Sequence, residues 1–289
     1  MKKILSLVLV FIMLAAIVSC GSQKEATNLT SASSLADLKG AKIAAQSGTF
    51  HADAVKQIEN VQSSTYPEFT DLLTALKSGA IDGYVAEEPT ALSVCGADDT
   101  LTYIPLKNND TGFTATAADV GVAIGVATGS ALRDQINAVL SEVSTETKQA
   151  LMEQIVAITC GEEVTEFALS SETPDEFVGT LRVGMECAYE PFNWTETGAQ
   201  SLGAVPISGE GKDGLYANGY DVQVAQYVAN KLGLKLEIYS IEWDSLIPAL
   251  ESGTIDAVVA GMSPTAEREE EIDFTQTYYE SNLVVIIKK

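Results

Sequence analysis

One short stretch occurs twice in this chain. Ala75-Leu-Lys-Ser-Gly-Ala-Ile-Asp-Gly-Tyr-Val-Ala86 is matched by Ala249-Leu-Glu-Ser-Gly-Thr-Ile-Asp-Ala-Val-Val-Ala260. Each copy reads as the end of an amphipathic helix, a Ser-Gly stop, and a short buried strand opened by an aspartate. An upstream strand recurs as well, as Lys42-Ile-Ala-Ala-Gln46 and Leu181-Arg-Val-Gly-Met185. The copies are too far apart for a solenoid, whose period is about 20–50 residues. The repeat therefore predicts two α/β lobes of similar build.

The remaining pattern agrees. Strand-like runs at 41–46, 61–66, 82–86 and 101–106 alternate with helical stretches near 50–59 and 67–79. In the second half, strands near 181–186, 234–239, 255–260 and 282–288 alternate with helices near 219–232 and 243–253. This alternation implies mostly parallel sheets covered by helices. Such sheets bind ligands at the carboxyl ends of their strands, and two lobes facing each other there form a cleft. Residues 161–180 read as a solvated linker, and the Gly- and Ser-rich stretch 196–217 as an inserted loop. Within it Gly209–Gly214 spells GxGxxG, but no strand precedes it, so it reads as a turn.

Composition narrows the chemistry. Of 289 residues 46% are hydrophobic, enough for real cores. Seventeen Lys and Arg against 40 Asp and Glu give a net charge of -23, which repels phosphate backbones and excludes nucleic acid as a partner. The single histidine, His51, rules out sites that need two, so neither a metal nor another cofactor is expected. The four cysteines are too few for a disulfide-dense scaffold. Without Cys20, at most one pair can form among Cys95, Cys160 and Cys187, and sequence does not choose it. Cys187 has no histidine nearby to make it a nucleophile, so a small pocket-lining role is expected.

At the amino end, Lys2 and Lys3 precede an apolar run from Ile4 to Val18, too short for a comfortable membrane span. Ile17-Val18-Ser19-Cys20, followed by Gly21, resembles the lipobox of bacterial lipoproteins. That resemblance implies a signal peptide at 1–19, a lipid on Cys20 and a polar tether over 20–33. It implies export and anchoring on the outer face of the cytoplasmic membrane, the periplasmic side in a Gram-negative cell.

Longer motifs then fall into a series. Leu181-Arg-Val-Gly-Met-Glu-Cys-Ala-Tyr-Glu-Pro-Phe-Asn-Trp194, Gly219-Tyr-Asp-Val222 and Trp243-Asp-Ser-Leu-Ile-Pro-Ala-Leu250 are followed by Ala260-Gly-Met-Ser-Pro-Thr-Ala-Glu-Arg268 and Ile272-Asp-Phe-Thr275. Together they resemble the first lobe of the bacterial family 3 solute-binding proteins of amino-acid ABC importers. Residues 34–127, with Gln46-Ser-Gly-Thr49 and Ile81-Asp-Gly-Tyr-Val-Ala-Glu-Glu-Pro89, resemble the second lobe, and 121–157 the return to the first. The resemblance implies a type II periplasmic-binding-protein clamshell, here circularly permuted. The smaller lobe is expected at 34–118 and the larger at 119–289, with only the strand near Asp119–Gly125 crossing the hinge.

A free amino acid needs partners for its carboxylate, its ammonium and its side chain. Arg268 suits the carboxylate, because a guanidinium gives two parallel charge-assisted bonds, and the resemblance implies the same role. Gly261, Met262 and Ser263 sit on the same strand-to-helix turn, where glycine permits close backbone approach and serine can bond the ligand. Across the cleft, Gln46 and Thr49 open a helix whose free N–H groups favour an anion; Thr49 either caps that helix or also reaches the ligand. Glu87 stands where the resemblance implies an aspartate for the ammonium, with Glu88 as a possible participant. Tyr189 and Trp243 are placed to sandwich the side chain, although Trp243 also suits core packing. Glu186 stands where binders of basic amino acids in this family carry an acid, which favours lysine, arginine or ornithine. The expected partners are thus a free basic amino acid, a cognate ABC permease, and the membrane through Cys20, with the protein a monomer and not an enzyme. A dehydratase-like or cell-wall-cleaving enzyme on the same fold, and a sensory domain, are the alternatives.

Overall fold

The computed structural model describes residues 29–289. The signal segment 1–19, Cys20 and most of the tether lie outside the described residues. The first part of the chain runs β1 (Ile43–Gln46), α1 (Phe50–Val55), β2 (Ser64–Tyr66), α2 (Phe69–Ser78), β3 (Gly83–Glu87), α3 (Glu88–Ala97) and β4 (Leu101–Ile104). A short α4 (Ala117–Val120) leads into β5 (Gly121–Val122) and β6 (Gly125–Val126), and helices α5 (Leu132–Leu140) and α6 (Thr145–Thr159) follow. The second alternation begins with β7 (Gly179–Met185), then β8 (Ala188–Tyr189), β9 (Asn193–Thr197), β10 (Val205–Pro206) and β11 (Leu215–Asn218). It continues through α7 (Tyr220–Lys231), β12 (Leu234–Ser240), α8 (Leu246–Glu251), β13 (Ala257–Val258), α9 (Ala266–Glu269) and β14 (Asp273–Phe274). The chain closes with β15 (Tyr279–Glu280) and β16 (Leu283–Lys288).

Two five-stranded sheets result, ordered β2-β1-β3-β16-β4 and β12-β7-β13-β6-β14. In each, the first three strands are parallel and the fourth, β16 or β6, runs antiparallel to both its neighbours. The matching orders are the structural form of the sequence repeat. Helix α2 buries Phe69, Leu72, Ala75 and Leu76 on one stripe and stops at Gly79, whose φ of 77° is left-handed. Strands β3 and β16 are covered on both faces, which explains their unbroken apolar runs. Tyr84, Ala86, Val284 and Ile286 face a core shared with the second sheet, while Val85, Val285 and Ile287 face a separate core with Leu38 and Phe113.

Three expectations need correction. The unit 119–289 is not one lobe, because β16 pairs with β3 and β4 in the first sheet. The hinge is crossed twice, since β5 pairs antiparallel with β15. Local pattern reads a buried strand but not which sheet it joins. Residues 196–217 are not a loop: β9, β10 and β11 join β8 in a four-stranded antiparallel sheet, built from strands too short to show a period. The glycine string at 209–214 lies in the turn between β10 and β11. Cys95, Cys160 and Cys187 are free thiols.

The junction between the hinge and the second sheet is held by Asp221 at the start of α7, which is fully buried. Its Oδ1 accepts from Tyr278 Oη at 2.6 Å and its Oδ2 from Asn193 Nδ2 at 2.8 Å. Asn193 Oδ1 in turn accepts from the Cys187 amide at 2.6 Å. Burial raises the Asp221 pKa to about 7 against these hydrogen bonds, which favour the charged form. Asp221→Ala leaves two buried donors unpaired and is expected to lose about 3 kcal/mol in urea unfolding; a loss below about 1 kcal/mol would show that the network does not hold the junction.

Candidate functional site

The carboxyl ends of the parallel strands meet in one crevice. From the first sheet come Gln46 at the end of β1 and Glu87 at the end of β3; from the second come Glu186 just after β7 and Gly261 just after β13. The crevice wall brings together Gln46, Thr49, Glu87, Tyr189, Trp243, Gly261, Ser263 and Arg268. The geometry follows from the parallel arrangement, which points every strand end of a sheet toward the same edge.

Arg268 spans the two sheets. Its Nη1 donates to the Ser263 carbonyl and its Nη2 to the Gly48 carbonyl, each at 2.8 Å. The guanidinium carbon lies 5.1 Å from the centre of the Trp243 ring, and Trp243 Nε1 donates to the same Gly48 carbonyl at 3.3 Å. No carboxylate is paired with Arg268 among the described residues. Burial lowers its pKa to about 10, still well above neutrality. A cation held by carbonyls and an aromatic face keeps its charge available to an anion.

Glu186 is buried, and its Oε1 accepts from Gln46 Nε2 at 2.8 Å across the crevice. Its pKa is raised to about 7, first by burial and then by the charge of Glu68, with Asp244 adding to it and the Gln46 hydrogen bond opposing it. Glu87 accepts from or donates to the ring of His51, with Oε1 3.0 Å from Nε2. Glu88 turns away, its carboxylate 3.5 Å from Asn282 Nδ2 on the approach to β16. Glu87 Oε2, Glu186 Oε2 and Tyr189 Oη are all buried without a hydrogen-bond partner among the described residues.

Several expected roles change. Thr49 does not cap α1 through its side chain; the hydroxyl donates to the Gln46 carbonyl at 2.8 Å. The Ser263 hydroxyl donates to the Asp119 carbonyl at 3.0 Å. Met262 does not line the crevice, because its side chain is core and its carbonyl accepts from Ala123. Cys187 is also core rather than pocket wall, and burial pushes its thiol up to about 12, leaving no nucleophile at neutral pH. Tyr189 stacks on Phe69 of α2, with centroids 3.9 Å apart and planes at 14°, and lines the crevice together with Trp243. Gly261 has a φ of 61°, and a Cβ there would lie 3.1 Å from the Tyr189 ring, so glycine is required at this turn. Sequence reasoning missed Phe69, Phe50 and His51. His51 had a signal available: it follows Thr49 by two residues, and β1 and β3 are neighbours. Among the described residues no group of His, Cys, Asp or Glu is arranged to hold a metal, and no helix is long and apolar enough to cross a membrane.

Residues 181–289 match the model of the bacterial extracellular solute-binding proteins, family 3. That stretch carries β16, the strand that completes the other sheet, as well as Arg268 and Glu186. The arginine-binding extracellular protein ArtP of Bacillus subtilis is 40% identical over 109 residues, 38% of this chain and 36% of that protein. The probable histidine-binding protein of Campylobacter jejuni is 33% identical over 132 residues, 45% of this chain and 44% of that one. The L-cystine-binding protein TcyJ of Escherichia coli K12 is 31% identical over 146 residues, 49% and 48% of the two chains. This chain thus spans between about a third and a half of the curated relatives it matches. Among solved structures, an ancestral arginine-binding protein bound to glutamine shares 38% identity over 36% of this chain and 39% of its own, with a TM-score of 0.28.

The Glu186 carboxyl supplies a stability test. The folded chain holds its proton up to about pH 7, whereas the unfolded chain releases it near the ordinary 4.5. Stability is therefore greatest at the acid end of that window and falls as pH rises through it. Glu186→Gln removes this component and leaves that of Asp221, so its melting temperature is expected to decline less than the wild type's between pH 4.5 and 7. Parallel declines would contradict the burial of an unpaired carboxyl oxygen at this position.

Proposed function

We propose that this chain is the extracytoplasmic solute-binding component of an ABC importer, taking a cationic amino acid between its two sheets and presenting the closed form to a permease. The observation that carries the reading is one unneutralised guanidinium, Arg268, in the same crevice wall as the buried Glu87, with the buried Glu186 hydrogen-bonded to Gln46 of that wall and each carboxyl keeping an oxygen without a partner among the described residues. An amino acid's carboxylate answers Arg268, and its ammonium answers Glu87. One acid is then left over, and Glu68 and Asp244 add negative potential around it. A positively charged side chain balances that excess, and the names of the arginine-binding relatives point the same way.

The residues proposed to touch the ligand are Arg268, Ser263, Gly261, Tyr189 and Trp243 from one side and Gln46, Thr49 and Glu87 from the other, with Glu186 setting side-chain charge. Binding needs no chemistry on the ligand; contacts made to both sheets at once favour closure about the ribbon of β5 and β15. The lobe order is read as a circular permutation, since the family-matching residues 181–289 follow the strands β1 to β4 of the first sheet. Cys20 is proposed as the lipidated residue, and the protein as a monomer at the outer face of the membrane.

A thermal-shift screen across the amino acids and ornithine tests the reading, because a ligand bound only by the folded state raises the melting temperature. Lysine, arginine or ornithine should give the largest shift. Tight binding of glutamine or glutamate with none for the basic amino acids would remove the cationic assignment, and no shift for any of them would remove amino-acid binding. Arg268→Ala should weaken binding about 100-fold or more by calorimetry, the order expected on losing one partner of a buried charge pair. Because a cationic side chain favours the ionised form of Glu186, affinity for the basic ligand should rise with pH through about 7 and then level off. An affinity independent of pH across that range would show that Glu186 does not face the ligand's charge.

A further inference from the structure

His51 is the only histidine of the chain. It lies on the first turn of α1, buried in the crevice wall, with its ring edge-on to Phe69 at 5.9 Å between centroids. Its Nε2 lies 3.0 Å from Glu87 Oε1. A carboxylate can only accept a hydrogen bond, so in this contact Nε2 carries the proton and donates to Glu87. Both Nδ1 and Glu87 Oε2 are buried without a partner among the described residues. A histidine in this wall is a poor choice for packing alone, since an apolar side chain would fill the space beside Phe69 without burying an unsatisfied nitrogen.

We infer that His51 is the positioning residue for Glu87: its Nε2–H ties down one carboxylate oxygen and leaves the other, Oε2, free in the crevice as the acceptor for a ligand's ammonium group. The inference rests on the amino-acid-binding reading and deepens it. Glutamate has three rotatable side-chain bonds, and freezing them at the moment of binding would reduce affinity; a tether makes that loss part of folding instead.

The test is calorimetry with the best amino acid from the screen, on the wild type and three His51 variants, alongside the melting temperature of each ligand-free protein. His51→Leu removes the donor and should weaken binding about tenfold, the value of one hydrogen bond to a charged group, with the ligand-free melting temperature unchanged or raised. His51→Gln returns an N–H donor at similar reach and should restore affinity to within about threefold of the wild type. His51→Asn, whose amide is too short to span to Glu87, should behave like His51→Leu and serves if the latter does not fold. In a Glu87→Gln background, His51→Leu should cost less than twofold more, because the two residues act through one contact.

Equal affinity of His51→Leu and the wild type would overturn the inference while leaving amino-acid binding intact. So would losses that follow the ligand-free melting temperature regardless of whether the variant carries a donor. A wild type that binds no amino acid would overturn both.

Discussion

Each sheet is completed by a strand that arrives from the other side of the hinge. β6 follows β5 into the second sheet and β16 follows β15 into the first, while β5 and β15 pair with each other. This exchange ties the two halves together at two adjacent backbone crossings, alongside the apolar core that the two sheets share. It also fixes their orientation, because the carboxyl ends of the parallel strands in both sheets must then face one crevice. Everything at the site follows from that: Gln46 and Glu87 come from one set of strand ends, Glu186 and Gly261 from the other, and none of them needs a long loop to reach its place.

The buried charges divide into two kinds. Asp221 is enclosed completely, yet both its oxygens accept hydrogen bonds from side chains that belong to the fold. It is a structural carboxyl, and its network holds the hinge-side residue Tyr278 to the core. Glu87 and Glu186 are buried to a similar degree, but each keeps an oxygen with no partner among the described residues. Arg268 shows the complementary pattern, with a guanidinium held by two carbonyls and an aromatic face. Unpaired buried polar atoms are unfavourable to stability, and these gather where the strand ends of the two sheets meet.

Much of the fold was legible before any coordinates. The repeated Leu-x-Ser-Gly-x-Ile-Asp unit announced two lobes, and Gly79 and Gly253 do terminate the matching helices in left-handed conformations. The alternation of strands and helices was readable because each element has its own hydrophobic period. The four-stranded sheet of β8 to β11 was not, since strands of two to five residues separated by glycine turns look like loop. At the site, Arg268 and Glu87 could be singled out as charges near strand ends, and Glu186 only through the family resemblance. Phe69 could not, because an aromatic residue at the start of an amphipathic helix looks like core, and it becomes a crevice residue only when Tyr189 of β8 stacks on it.

The amino-acid order by itself determined the local elements, the duplicated α/β unit, the acidic surface and the few ionisable groups available for binding. Those properties depend on neighbours within a few turns of chain. Only the tertiary structure decided that the last strand returns to the first sheet, that the hinge has two crossings, that Thr49 and Ser263 spend their hydroxyls on backbone carbonyls, and that His51 holds Glu87. Each of these depends on contacts between residues far apart in sequence, where hydrophobic period carries no register and a side chain's partner is chosen by which strand ends the sheets bring together.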